Sequence, residues 1–217
     1  MNTERALFNM VEQQIRTWHV LDKQVLTHLA QLDRQMFVPA AFASLAYSDT
    51  EIPLGHGEHM LAPRVDARLL QDLKLQAHER VLELGTGSGY LTALLALSCT
   101  HVLSLECHAD LISTAQTNLG KAGIHNAEVR LSKGVPSGLP AGGFDAILLG
   151  GSVAEVPPEL LNLLKPHGRV VAVVGDEPMM QATRITRQAD GSGHSHILWD
   201  VVIPRLHGFT PHSSFHF

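Results

Sequence analysis

From about residue 80 onward, apolar runs of strand length and of helix length alternate along the chain. Residues 80–84 and 102–106 are short apolar runs that read as strands, and 89–97 between them is long enough for a helix. Residues 110–122 have helical periodicity and stop at Gly123, a residue suited to closing a helix C-terminus. Residues 128–131 and 144–149 read as a third and a fourth strand, 158–164 as a helix, and 168–174 as a fifth strand. Repeated units of this kind predict a parallel sheet with helices on both faces. The pattern then changes. Two strand-like runs, 183–188 and 196–204, flank Asp190-Gly191-Ser192-Gly193 and predict an antiparallel hairpin that finishes the sheet.

Before residue 80 the pattern is helical. Leu7, Phe8, Val11 and Ile15 share one helix face, with Thr3 or Asn2 placed to cap it. A second helix starts at Asp22 and carries Val25, Leu26 and Leu29 on one side. Pro39 opens a short helix or turn. Residues 47–63 read as irregular, punctuated by Pro53, Gly55, Gly57 and Pro63, and a loop of that length in a compact domain is commonly functional. A helix over 64–73 leads into the alternating region.

Composition narrows the function classes. With 217 residues, 45% hydrophobic and 17% charged, the chain can bury a sizeable core. Its formal net charge of -5 makes it a poor general binder of phosphate backbones, so no nucleic-acid partner is predicted. No apolar stretch reaches the ~18–20 residues of a membrane span, and the N-terminus has no signal-peptide pattern. The two cysteines, Cys99 and Cys107, flank a predicted strand too long for a disulfide, and together these features predict a cytoplasmic protein.

The candidate chemistry centres on the turn after the first strand. Gly85, Thr86, Gly87, Ser88 and Gly89 form a G-x-G-x-G run in which Tyr90 stands where the dinucleotide pattern wants Gly or Ala. Such a turn exposes backbone N–H groups to a ligand. Glu83 precedes the first glycine by two residues and suits a ligand carrying an ammonium and a sulfonium better than a pyrophosphate. Glu106 ends the second strand, where a carboxylate can accept from both ribose hydroxyls, and Cys107 follows it as a candidate wall residue. The alternatives are a glycine turn that serves only packing and a nicotinamide-binding turn.

Further landmarks carry a resemblance over residues 10–206. They are Met10-Val11-Glu12-Gln13, Phe37-Val38-Pro39, Tyr47-Ser48-Asp49, Pro53-Leu54-Gly55-His56-Gly57, the glycine turn, Phe144-Asp145-Ala146-Ile147, and Leu164-Lys165-Pro166. The chain resembles the protein-L-isoaspartate O-methyltransferases, within the Rossmann-like methyltransferases that use S-adenosylmethionine. That resemblance implies a single α/β domain. Residues 1–75 would form a helical N-terminal extension carrying an active-site loop at 47–63, 76–206 a Rossmann-like core, and 207–217 a tail. It also implies carboxyl methylation of isoaspartyl residues in damaged proteins, with release of S-adenosylhomocysteine. Glu83, Gly85 to Tyr90, Glu106 and Cys107 would hold the cofactor, with Lys133 and Gly134 bordering its adenine.

The resemblance breaks at three places. Where the family carries a serine after Gly55-His56-Gly57, this chain has Leu61, whose side chain neither donates nor accepts a hydrogen bond. A donor of that kind supplies on the order of 2.7–4 kcal/mol to a transition state. Ser132-Lys133-Gly134 replaces the family's Gly-Asp-Gly, and Gly150-Gly151-Ser152 reads as a looser active-site floor. The candidate catalytic groups are therefore His59, a possible base near neutral pH, and Glu58. The acceptor is a protein or peptide carboxylate or some small molecule, and a member that binds cofactor or protein without turnover is the alternative. No metal site is predicted, because neither His194 with His196 nor His207 with His212 and His216 has a partnering Cys or carboxylate at familiar spacing.

Overall fold

A computed structural model of the chain describes residues 3–209, so Asn2, His212 and His216 lie outside the described residues. A seven-stranded sheet forms the centre. Its strands are β3 (Arg80–Leu84), β4 (His101–Glu106), β5 (Ala127–Leu131), β6 (Phe144–Val153), β7 (Leu164–Val174), β8 (Gln181–Arg187) and β9 (Gly193–Asp200). Their spatial order is β5-β4-β3-β6-β7-β8-β9. The five strands from β3 to β7 run parallel, and β8 and β9 are antiparallel additions at one edge. The architecture is thus the parallel sheet that the alternating pattern implied, with the antiparallel finish predicted at the C-terminal end, and it is the Rossmann-like fold that the resemblance implied.

Apolar runs become central strands because both faces of the sheet are covered. Val81, Ala146, Val171 and Val173 face a core shared with α2 (Lys23–Gln31), α3 (Pro63–Leu73) and α4 (Tyr90–Ser98). Leu82, Leu84, Ile147 and Leu149 face the other side, against α6 (Pro158–Leu163) and Leu206. The alternation is the two-residue period of a strand. α5 (Ala109–Lys121) covers β4 and β5. Among the described residues no helix is long and apolar enough to cross a membrane.

Three details differ from the sequence expectation. The first helix, α1 (Thr3–Asn9), widens into a π-helix over Met10–Ile15, which buries Met10, Val11 and Ile15 together. The stretch read as an irregular loop contains an antiparallel hairpin, β1 (Ile52–Gly55) and β2 (Glu58–Met60). Its turn needs φ of 56° at His56 and 80° at Gly57, the positive pair that closes a tight hairpin. Strands this short carry too few residues to show an alternation. Lastly, Gly150-Gly151 lies inside β6 and is a tight fit rather than a loose floor. A Cβ on Gly150 would sit 2.7 Å from the Gly85 carbonyl oxygen, and one on Gly151 3.1 Å from the Leu206 nitrogen.

Candidate functional site

The C-terminal ends of β3, β4 and β6 open onto a cleft with about 600 Å³ of empty space, measured out to its mouth. Its floor is Leu84, Gly85, Gly87, Leu105 and Glu106; Ser132 and Gly134 border one side, and Gly150 and Gly151 another. A smaller cavity of about 310 Å³ adjoins it, lined by Thr86, Ser88, Tyr90, Leu91 and Asp66. His59, Leu61, Gly85, Gly87 and Gly150 line both and so mark the junction.

The glycine turn and Glu106 are tied to one another. Glu106 accepts from the Gly87 N–H at 2.9 Å on one carboxylate oxygen, and from Cys107 and His108 at 2.8 and 3.1 Å on the other. Parallel pairing of β3 with β4 brings the two turns together. About four lone-pair sites exist on a carboxylate, so three backbone donors leave capacity on the oxygen that Gly87 reaches. Gly85 has φ of 93°, and a Cβ there would meet Leu206 at 2.7 Å. A backbone this close to its neighbours and a carboxylate held at the lip fit an adenosyl group with a ribose diol.

Glu83 lies elsewhere. The strand period turns it to the α4 side of the sheet, away from the cleft lined by Leu84. It is fully buried and accepts from the Thr92 hydroxyl at 2.5 Å and the Ser104 hydroxyl at 2.6 Å. Burial, opposed by those two hydrogen bonds, pushes its carboxyl up to about 8. Glu83 therefore ties α4 to β4 behind the turn. Lys133 is exposed and does not line the cleft, although Ser132 and Gly134 on either side of it do.

The acceptor side comes from remote segments. β2 supplies Glu58 and His59, and the residues after it supply Leu61, which is 5% exposed. Residues 204–206 run beside the end of β6, with Ser152 donating to the Pro204 carbonyl at 2.8 Å and Leu206 donating to the Ser152 carbonyl at 2.9 Å. This strap lays Arg205, Leu206, His207 and Phe209 along the cleft. Glu58 meets His207 Nδ1 at 2.6 Å, and His59 has a buried Nδ1 without a hydrogen-bond partner among the described residues.

Beneath Leu61 lies a buried polar cluster that the sequence reading missed. Arg34, with no exposed surface, donates to Asp66 at 3.1 Å and to the Leu61 carbonyl at 2.8 Å, and its guanidinium stacks 4.7 Å from the Tyr90 ring centre. Burial raises the Asp66 carboxyl to about 7, with Arg34 pulling it back. One signal was available: Asp66 falls between Val65 and Ala67 in a helix that buries Leu69, Leu70 and Leu73. A charge on such a face needs a buried partner.

Comparison with known proteins bears on family and fold. The sequence profile described as Protein-L-isoaspartate(D-aspartate) O-methyltransferase matches residues 5–204. A Myxococcus xanthus protein named protein-L-isoaspartate O-methyltransferase is 42% identical over 156 residues, covering 72% of this chain and 74% of its own. One of the same name from Opitutus terrae is 35% identical over 202 residues, covering 91% and 87%. A Plasmodium falciparum chain crystallised with S-adenosyl-L-homocysteine shares the fold, with a TM-score of 0.76 at 24% identity and coverage of 96% and 99%.

Proposed function

This chain belongs to the protein-L-isoaspartate O-methyltransferase family, and on that premise we propose that it is an S-adenosylmethionine-dependent methyltransferase acting on isoaspartyl carboxylates of proteins. The observation that carries the reading is the Glu106 carboxylate, held by three backbone N–H groups at the lip of a glycine-lined cleft. Glu106 would accept from the ribose diol, the backbone of residues 85–89 would follow the methionine portion, and Ser132 and Gly134 would flank the adenine. Bound S-adenosylmethionine supplies a sulfonium-activated methyl group. The chain has to align the acceptor and keep water out.

A carboxylate acceptor is anionic at neutral pH and needs no general base. His59, at the junction of the two cavities with an unpartnered ring nitrogen, is the side chain placed to hold it. Glu58 is engaged with His207 at the mouth and acts there on loop position. Leu61 favours a second reading, a cofactor-binding member without turnover, because it puts at that junction an isobutyl group that neither donates nor accepts a hydrogen bond.

Two measurements test this. Calorimetry with S-adenosylhomocysteine should show binding at one site per chain, and radiolabel should pass to an isoaspartyl peptide but not to its aspartyl counterpart. Binding without transfer would select the second reading, and transfer that appears only in Leu61→Ser would assign the loss to the missing hydroxyl. Absence of binding sinks both.

A further inference from the structure

Four potential metal ligands converge at the mouth of the cleft, from three segments far apart in sequence. Glu58 comes from β2, Cys107 and His108 from the turn after β4, and His207 from the C-terminal strap. Their donor atoms all lie within 4.8 Å of one another. The carboxylate oxygen of Glu58 stands 2.6 Å from His207 Nδ1 and 3.6 Å from His108 Nε2. A tetrahedral zinc site with bonds of about 2.0–2.3 Å places its donors about 3.3–3.8 Å apart. Modest side-chain movement brings this group to that spacing.

We propose that Glu58, Cys107, His108 and His207 bind one divalent transition-metal ion of the zinc type, which staples the hairpin, the tip of β4 and the C-terminal strap together across the cleft. Three observations independent of that spacing support it. His108 Nε2 is buried and has no hydrogen-bond partner among the described residues, although it faces the Glu58 carboxylate. Such an orphan nitrogen is costly unless something completes it. A second carboxylate also borders the site, since Glu106 Oε1 lies 3.5 Å from Cys107 Sγ, and a dication offsets the charge of the two carboxylates. Finally, the His108 ring is held in place. His56 stacks on His108 with centroids 4.2 Å apart and planes 8° apart, and His56 Nε2 pairs with Asp110 at 2.8 Å.

The donor chemistry selects the ion. Two imidazoles, a thiol and one carboxylate suit zinc, cobalt or copper, whereas calcium and magnesium take oxygen sets. Thiolate coordination forms the metal–sulfur bond as the thiol proton leaves to solvent, with no change in oxidation state. Because four protein ligands close a tetrahedral shell, the ion is structural in role and gates the mouth rather than taking part in methyl transfer.

The test uses the full-length, tag-free chain stripped of metal and titrated with Co2+. Wild type should take up one equivalent with a thiolate-to-cobalt charge-transfer band and the strong visible absorption of a four-coordinate site, and Zn2+ should displace it. Cys107→Ser should lose the charge-transfer band, and His207→Ala, at a half-exposed position, should weaken binding by at least about tenfold. Circular dichroism establishes that each variant is folded, and if Cys107→Ser is not, His207→Ala decides alone. A wild type without the band, a band that survives Cys107→Ser, or equal affinity in His207→Ala overturns the proposal. None of these readouts depends on methyl transfer, so the metal site and the enzymatic reading fail separately.

Discussion

The two walls of the cleft are built in opposite ways. The cofactor wall consists of two consecutive strand-to-helix turns, and its polar contacts join residues about twenty positions apart, as Gly87 and Glu106 do. The acceptor wall gathers a hairpin near residue 58 and a strap at 204–209, and it rests on a buried Arg34–Asp66 pair. The first wall is fixed by local chain geometry and by neighbouring parallel strands. The second depends on long-range packing. It follows that changes in the first should alter ligand affinity with little effect on the fold, while changes under the second should cost stability first.

The largest expected effect is on that foundation. Asp66→Ala strips a fully buried guanidinium of its counter-charge, so unfolding free energy should fall by about 3–5 kcal/mol. Denaturant titration of wild type and variant measures it, and a loss below 1 kcal/mol would show that Arg34 finds another partner. Glu106→Ala comes next and addresses the cofactor wall. Losing a charge-assisted acceptor of about 2–3 kcal/mol should weaken S-adenosylhomocysteine binding roughly 30- to 150-fold. Its melting temperature should move less than that of Asp66→Ala; if the order is reversed, the contrast between the walls is wrong.

The smallest effect sharpens the boundary between them. Glu83 has a folded carboxyl raised from 4.5 to about 8 by burial, so the folded protein keeps a proton that the unfolded chain gives up. Stability from this group is complete below about 4.5 and is lost as pH rises through about 8. Glu83→Gln should therefore flatten the decline in melting temperature between those limits. Near neutrality the change should be slight, because glutamine keeps the shape of a mostly protonated carboxyl. An unchanged slope would mean that other groups carry the pH dependence, Asp66 first among them, since burial raises it in the same direction.

Legibility in the sequence followed the same division. Gly85, Gly87 and Glu106 could be read as a cofactor turn because each belongs to a strand end whose position the apolar pattern fixes. Glu83, read from spacing as a cofactor contact, fails to face the cleft for a reason the strand period already contains: one residue before Leu84, it points to the opposite side. The hairpin at 52–60 was missed, since its two strands of four and three residues carry too little alternation to register. His207 showed no nearby Cys or carboxylate in sequence. Glu58 and Cys107 reach it only through the fold.

The sequence alone determined the alternating architecture, the antiparallel edge, the glycine turn and its carboxylate, because hydrophobic periodicity and turn chemistry act over a few residues. Tertiary structure alone decided which charges are buried together, where the C-terminal strap lies, and which side chains share the mouth of the cleft. Those juxtapositions depend on packing between segments separated by about thirty to a hundred and fifty positions, for which a linear pattern holds no record. Burial then sets their charge and hydrogen bonding, which no residue carries by identity.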